Sequence, residues 1–177
     1  MRTVAIVLAA SLVALTACST ADEGSSHSSV FQHLSIDNHG NVIALARDGR
    51  EATVTPAGDL VISGKPLAVT LEQRQLLETY RNAALELRDD GVATGKAGVH
   101  TGIHAIGAVA SGLASGDPDS IDAKVNANAD KVDALAREVC NDLARLYALQ
   151  GKLTVAIPAF QPYATIERRE VSGCRVD

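Results

Sequence analysis

The spacing of apolar residues changes character three times along the chain. Residues 3–15 form an apolar stretch interrupted only by Thr3 and Ser11. It is too short to span a bilayer. Residues 19–29, Ser-Thr-Ala-Asp-Glu-Gly-Ser-Ser-His-Ser-Ser, contain no apolar period and read as a flexible tether. From 30 to 69 the apolar positions come in short runs separated by turn formers: Asp37-Asn38-His39-Gly40-Asn41, Arg47-Asp48-Gly49, Pro56-Ala57-Gly58 and Ser63-Gly64-Lys65-Pro66. Turns of this kind supply the positive-φ positions that tight hairpins need. The runs between them predict strands at 31–36, 42–46, 52–55, 60–62 and 67–69. Ala52, Val54, Leu60 and Ile62 sit at alternate positions, as in a half-buried antiparallel meander.

From residue 70 the apolar period lengthens to between three and four. Thr70 and Gln73 form a T-x-x-Q capping box for a helix over 70–90, with Leu71, Leu76, Leu77, Tyr80, Ala83, Ala84 and Leu87 on one face. Arg74, Arg81 and Arg88 fall seven apart on the other side, which predicts a solvated face with a Glu78–Arg74 pair. Gly91 stands as the stop. A second helix is expected over 94–115. It is rich in Gly, each costing about 1 kcal/mol against Ala, yet Val99, Ile103, Ile106, Val109 and Leu113 keep the helical period. Gly98, Gly102, Gly112 and Gly116 are spaced to let another helix come close. Asp117-Pro118 opens the longest apolar stripe, from Ile121 to Tyr147, with Gly151 as its end. Pro158 and Pro162 predict that 152–177 is an extended tail with at most an edge strand. The fold class is α+β: a small N-terminal antiparallel meander, two or three packed helices and an extended tail.

Composition removes several functions. The chain has 177 residues, a formal charge of −5, no Trp and only Phe31, Tyr80, Tyr147, Phe160 and Tyr163 as aromatics. An acidic chain poor in aromatics lacks the basic, stacking surface of a nucleic-acid binder. The hydrophobic share of 46% is inflated by the first 18 residues. Without them it is about 42%, ordinary for a globular domain.

The start of the chain adds an address. Met1-Arg2 is a positive cap on the apolar run, as in a secretory signal. The run ends in Leu15-Thr16-Ala17-Cys18, which resembles the lipobox of bacterial lipoproteins. The resemblance implies cleavage after residue 17 and acylation of Cys18, with more than one acyl chain holding the membrane stably. Ser19 after the Cys implies the outer membrane by enteric sorting. The chain then divides into a lipoprotein signal peptide at 1–17, lipidated Cys18 and tether at 18–29, and one domain at 30–177. In an oxidising periplasm Cys140 and Cys174 are expected to pair. The loop of about 35 residues so closed is worth about 4 kcal/mol in the chain-entropy picture.

A further resemblance rests on Gly58-Asp59-Leu60-Val61-Ile62-Ser63-Gly64-Lys65, then Leu67-Ala68-Val69-Thr70, Gln73-Arg74, Leu76-Leu77 and Tyr80, with Cys140, Leu143 and Leu146 later. This pattern is similar to the YggN-like family of bacterial envelope proteins, in which a glycine-bounded hairpin leads into a helix carrying Gln-Arg and Tyr. The resemblance implies an envelope protein of this α+β type and no particular activity.

Candidate chemistry is sparse. His100 and His104 are four apart, a zinc-ligand spacing on a helix, but Thr101 stands where a zincin has its Glu. They are weak metal candidates, and no metal or cofactor is expected. Asp89, Asp90, Asp117 and Asp119 are acids at expected helix ends, which is a common place for them. The chain has no G-x-S-x-G, no phosphate-binding loop and no dinucleotide fingerprint. The leading expectation is a non-enzymatic lipoprotein facing the periplasm, with a structural or interaction role through the Gly/Ala-rich helix face or a sheet edge. Its partners would be the membrane, through the anchor, and an envelope protein or a second copy. A periplasmic small-ligand module, with a pocket between sheet and helices, is the alternative.

Overall fold

The computed structural model describes residues 32–115 and 119–174, and within the helices all side chains except 104–125, 127 and 128. The signal peptide, Cys18, the tether, Phe31 and the Asp117-Pro118 helix start lie outside the described residues. Five strands come first: β1 (Leu34–Ile36), β2 (Val42–Leu45), β3 (Glu51–Val54), β4 (Leu60–Ile62) and β5 (Lys65–Leu67). They pair antiparallel in chain order, so the sheet is the expected meander. Its α+β character is as the sequence predicts.

Turn chemistry sets the register. In the loops at 38–40, 47–49 and 56–58 the last residue is a glycine with positive φ. The backbone closes behind it, with Gly40 N–H donating to Asp37 O and Gly58 N–H to Thr55 O. Asp37 locks the first loop by accepting from the N–H groups of His39 and Asn41 at 2.8 and 2.9 Å. The Asn41 side-chain amide, which donates to Asp37 Oδ2 at 2.7 Å, and these two backbone bonds favour the carboxylate and hold its pKa below the ordinary value. Ser63 and Gly64 both take positive φ, as the tightest hairpin turn requires. That turn starts β5 at Lys65, two residues earlier than expected. Pro66 then lies in the edge strand opposite Val61, where its missing N–H does no harm.

The inward face of the sheet, Val42, Ala44, Ala52, Val54 and Leu60, is buried at alternate positions. It packs on two helices, α1 (Leu71–Ser115) and α2 (Asp119–Ala156). The capping box forms: Thr70 N–H donates to Gln73 Oε1 at 2.9 Å and Gln73 N–H to Thr70 Oγ1 at 3.2 Å. Gln73 Nε2 also donates to Ala156 O at 2.7 Å, tying the start of α1 to the end of α2. Leu71, expected on the buried face, is instead 71% exposed. It precedes the first turn that meets the sheet.

Three expectations are corrected. Gly91 does not end a helix: α1 continues through it for 45 residues as one element. Gly91 is not among the positive-φ glycines, and a helical Gly costs only about 1 kcal/mol. Gly151 does not end α2 either. The helix runs on so that Leu153 is fully buried. It stops before Pro158, whose ring forces Ile157 into an extended conformation, φ −134°. The tail is not extended. It forms a 3-10 helix (Pro158–Tyr163) and a short α3 (Arg168–Gly173). Phe160 and Tyr163 are three apart, which a 3-10 helix places on one face, and both are buried.

Three of the five aromatics meet in this core. Tyr80 and Phe160 pack edge to face with centroids 5.5 Å apart, and Tyr163 lies 6.1 Å from Phe160. Gln150, 4% exposed, is satisfied by the backbone of Ile166: its Nε2 donates to the carbonyl and its Oε1 accepts the N–H. A disulfide joins Cys140 of α2 to Cys174 just after α3, with Cα atoms 5.4 Å apart. The paired hydrogen bonds of Gln150 with Ile166 and this disulfide fasten the C-terminal segment to α2 at two points.

Gly58 combines φ +70° with a position where a Cβ would lie 2.7 Å from the Arg74 carbonyl oxygen. Gly58→Ala is therefore expected to lower the urea midpoint by an amount equivalent to more than about 1 kcal/mol, whereas Gly49→Ala, strained in φ alone, loses less.

Candidate functional site

The arginine stripe of α1 is the first departure from expectation. Arg74 pairs with Asp59 and donates to Ala57 O at 2.9 Å. Arg81 Nε donates to Gly40 O at 2.7 Å. Seven residues apart, the two guanidinium groups hold two adjacent hairpin loops, and Gly40 and Gly58 leave room for them. Only Arg88 behaves as predicted for a solvated face, pairing with neighbouring Asp89. Gly58, Asp59 and Arg74, which carry part of the family resemblance, are thus one contact set at the join of sheet and helix, and Gln73 joins the start of α1 to the end of α2. Their chemistry there is structural.

Beyond Leu87 the character of the molecule changes. Among the described residues none between Leu87 and Leu143 is buried. At 1.5 Å per residue, the stretch of α1 from Leu87 to Ser115 is about 40 Å long. With α2 it makes a two-helix arm on a well-packed head. Asp90, Gly91, Ala93, Thr94, Ala97 and Thr101 are the half-covered positions of α1 here among the described side chains. Small side chains leave a hollow of about 450 Å³ between the helices, lined by Ala93, Lys96, Ala97, His100, Thr101, Lys131 and Leu135. Val92, Val99 and Ile103 are 50%, 66% and 65% exposed. With Gly95 and Gly102 they form a second apolar seam, spaced three and four apart, on the face directed away from α2.

Among the described residues nothing requires glycine at these positions. Gly95, Gly98 and Gly102 lack positive φ, and a Cβ at each would meet no described heavy atom within 4 Å. The close approach that such spacing permits is left unused by α2.

His100 is exposed and lines the hollow. The side chain of His104 lies outside the described residues. No group of three or more His, Cys, Asp or Glu able to hold a metal ion occurs among the described residues. No helix there is long and apolar enough to cross a membrane. A separate apolar cavity of about 190 Å³ lies between β1 and α1, lined by Leu34, Ser35, Ile36, Ala84, Leu87 and Arg88.

One polar cluster was not visible in the sequence. Where head meets arm, Asp142 of α2 faces Asp90 and Glu86 of α1, and Glu86 pairs with Arg145. Asp142 Oδ2 is buried and has no donor. Burial pushes the Asp142 carboxyl up to about 6; the contact with Asp90 and the charges of Asp90 and Glu86 add to the rise, and Arg145 opposes it. A helical period shows which residues share a face. It does not show that Asp90 and Asp142, 52 positions apart, meet across two helices.

No family model, curated protein or solved structure matches the chain.

Since no described atom lies where the missing side chains would go, Gly95→Ala and Gly102→Ala should each stabilise the isolated protein. The expected gain is about 0.5–1 kcal/mol per site, read from urea unfolding. Destabilisation by either would mean that α2 or another part of the chain already packs on that face.

Proposed function

We propose that the protein is an outer-membrane lipoprotein, held by acylated Cys18 and facing the periplasm, whose role is to hold a partner in the cell envelope rather than to catalyse. The exposed seam of Val92, Val99 and Ile103, on an arm without a buried residue of its own among those described, is the observation that carries this reading. A two-helix hairpin buries only one face of each helix. Large apolar side chains left on the outer face gain from a partner at roughly 25 cal/mol per Å² removed from water, and the glycines between them let its backbone approach. The Leu15-Thr16-Ala17-Cys18 segment supports the anchor, and the YggN-like resemblance of the Gly58–Tyr80 region supports the compartment.

The apolar cavity between β1 and α1 favours a second reading, a periplasmic small-ligand module. At about 190 Å³ it is smaller than the usual ligand pocket of about 300 Å³ or more, which places this reading second.

Cys18→Ala should move the protein from the membrane fraction to the soluble periplasmic fraction; retention in the membrane overturns the anchor. In-cell photocrosslinking from positions 99 and 103 should capture a discrete partner that is not captured from exposed head positions such as Arg50. Equal capture from both would remove the arm from the proposal.

A further inference from the structure

The sheet has two edges, and the chain treats them differently. In an antiparallel ladder, pairs of residues that exchange backbone hydrogen bonds alternate with pairs whose N–H and C=O groups point away. Asp37 N–H donates to Asn41 O. Along the register from that bond, Ser35 bonds Ile43, while Leu34 and Ile36 turn their N–H and C=O groups to the outer side of β1. No strand lies there among the described residues, because β1 stands first in the sheet order. At the other edge Thr55 N–H donates to Asp59 O and Ser63 N–H to Glu51 O. The same alternation leaves Pro66 as the residue of β5 that faces outward, and proline has no N–H. Lys65 precedes it. Proline and lysine are the residues that keep an edge from pairing with another chain. β1, Leu34-Ser35-Ile36, carries neither.

The open edge also borders a cavity. The space of about 190 Å³ between β1 and α1 is walled by Leu34, Ile36, Ala84 and Leu87, with Ser35 and Arg88 as its polar members. An engineered apolar cavity of roughly 150 Å³ takes up benzene, so this one holds a single side chain of leucine or phenylalanine size. A strand laid along β1 directs alternate side chains to this face of the sheet. Arg88 adds a charge. Its Nε and Nη2 donate to Asp89 Oδ1 at 2.9 and 2.8 Å, which leaves donors over from the five of a guanidinium, and the side chain is 48% exposed. Residues 19–29 of this chain, with Ala21 as their one apolar residue, lack an anchor for the cavity.

We propose that the β1 edge and the adjoining cavity are a docking site for an extended segment of a partner protein. The segment adds a strand to the sheet through the outward N–H and C=O groups of Leu34 and Ile36. It seats one apolar side chain among Leu34, Ile36, Ala84 and Leu87 and brings a carboxylate to Arg88. Main-chain bonds hold such a strand, and the pocket selects its side chain. The cavity thereby serves a side chain and not a free ligand. The site is separate from the Val92–Ile103 seam and does not rest on it.

Amide exchange in the purified full chain should find Leu34 and Ile36 unprotected and Ser35 protected. Protection of Leu34 and Ile36 without a partner means that the chain covers its own edge, and overturns the proposal. In the cell, a photoreactive residue at position 35 should give an adduct whose crosslinked peptide, identified by mass spectrometry, carries an apolar residue and an acidic group. Position 65, on the blocked edge, should not give it. No adduct, a 35-to-35 adduct between two copies, or the same adduct from 65 overturns the site. Ala84→Phe, which fills the cavity, should abolish the adduct; persistence of the adduct in a variant with the parent's cooperative thermal unfolding refutes the role of the cavity. A synthetic peptide of the captured segment should bind the purified chain and protect the Leu34 and Ile36 amides. With its apolar anchor changed to alanine it should bind about tenfold or more weakly. Equal binding of the two peptides, or binding that leaves both amides unprotected, overturns the proposal without recourse to a variant of the chain.

Discussion

Leu77, Tyr80, Ala83, Ala84 and Leu87 lie along one face of α1 and are withdrawn from solvent between the meander and the lower part of α2. The head depends on this face. The sheet has only one buried side, made largely of Val and Ala, and without α1 it would expose Val42, Val54 and Leu60. The lower part of α2 contributes Leu143, Leu146, Leu149 and Leu153, and the C-terminal segment contributes Phe160, Tyr163 and Ile166. Apolar burial fixes no orientation by itself. Here polar contacts do so: Arg74 and Arg81 on two hairpin loops, Gln73 on the end of α2, and Gln150 on the backbone of Ile166.

The same helix continues where that burial ends. Side chains shrink to Ala, Gly and Thr on the face toward α2, while Val92, Val99 and Ile103 turn to solvent. A helix with poor intrinsic propensity normally relies on tertiary packing, and in the arm that packing is thin. The arm is therefore the part of the molecule whose free energy depends most on what it meets. The Glu86–Arg145 pair that joins the two helices there is exposed and is worth little alone.

The disulfide sits on the α2 side of this junction, where Val139 and Cys140 still pack against the core. Cys140 precedes Leu143 by less than a turn, and its bond to Cys174 fastens α3 beside the outermost layer of the core. Arg47, in a loop of the sheet, pairs with Glu167 at the start of α3. Sheet, long helix and C-terminus are thus linked in a ring that excludes the arm.

The sequence by itself determined the meander, its turns, the α1 cap and the pairing of Cys140 with Cys174, because each rests on local geometry or on a residue type with one plausible partner. Turn glycines need positive φ wherever they occur, and Thr70 with Gln73 is a capping box at a distance of three. Helix ends were different. Gly91 and Gly151 resemble stops, but a glycine ends a helix only if the chain departs there, and burial of Leu153 or pairing with α2 decided that it did not. The folded form of 158–173 likewise came from Phe160, Tyr163 and Ile166 finding the core. The candidate surface was half legible: Val99, Ile103 and the glycines declared a face seeking a neighbour, and only the fold showed that α2 does not cover it. The Asp90–Asp142 contact was decided by tertiary structure alone, since no periodicity links residues on two helices until their packing has set the register between them.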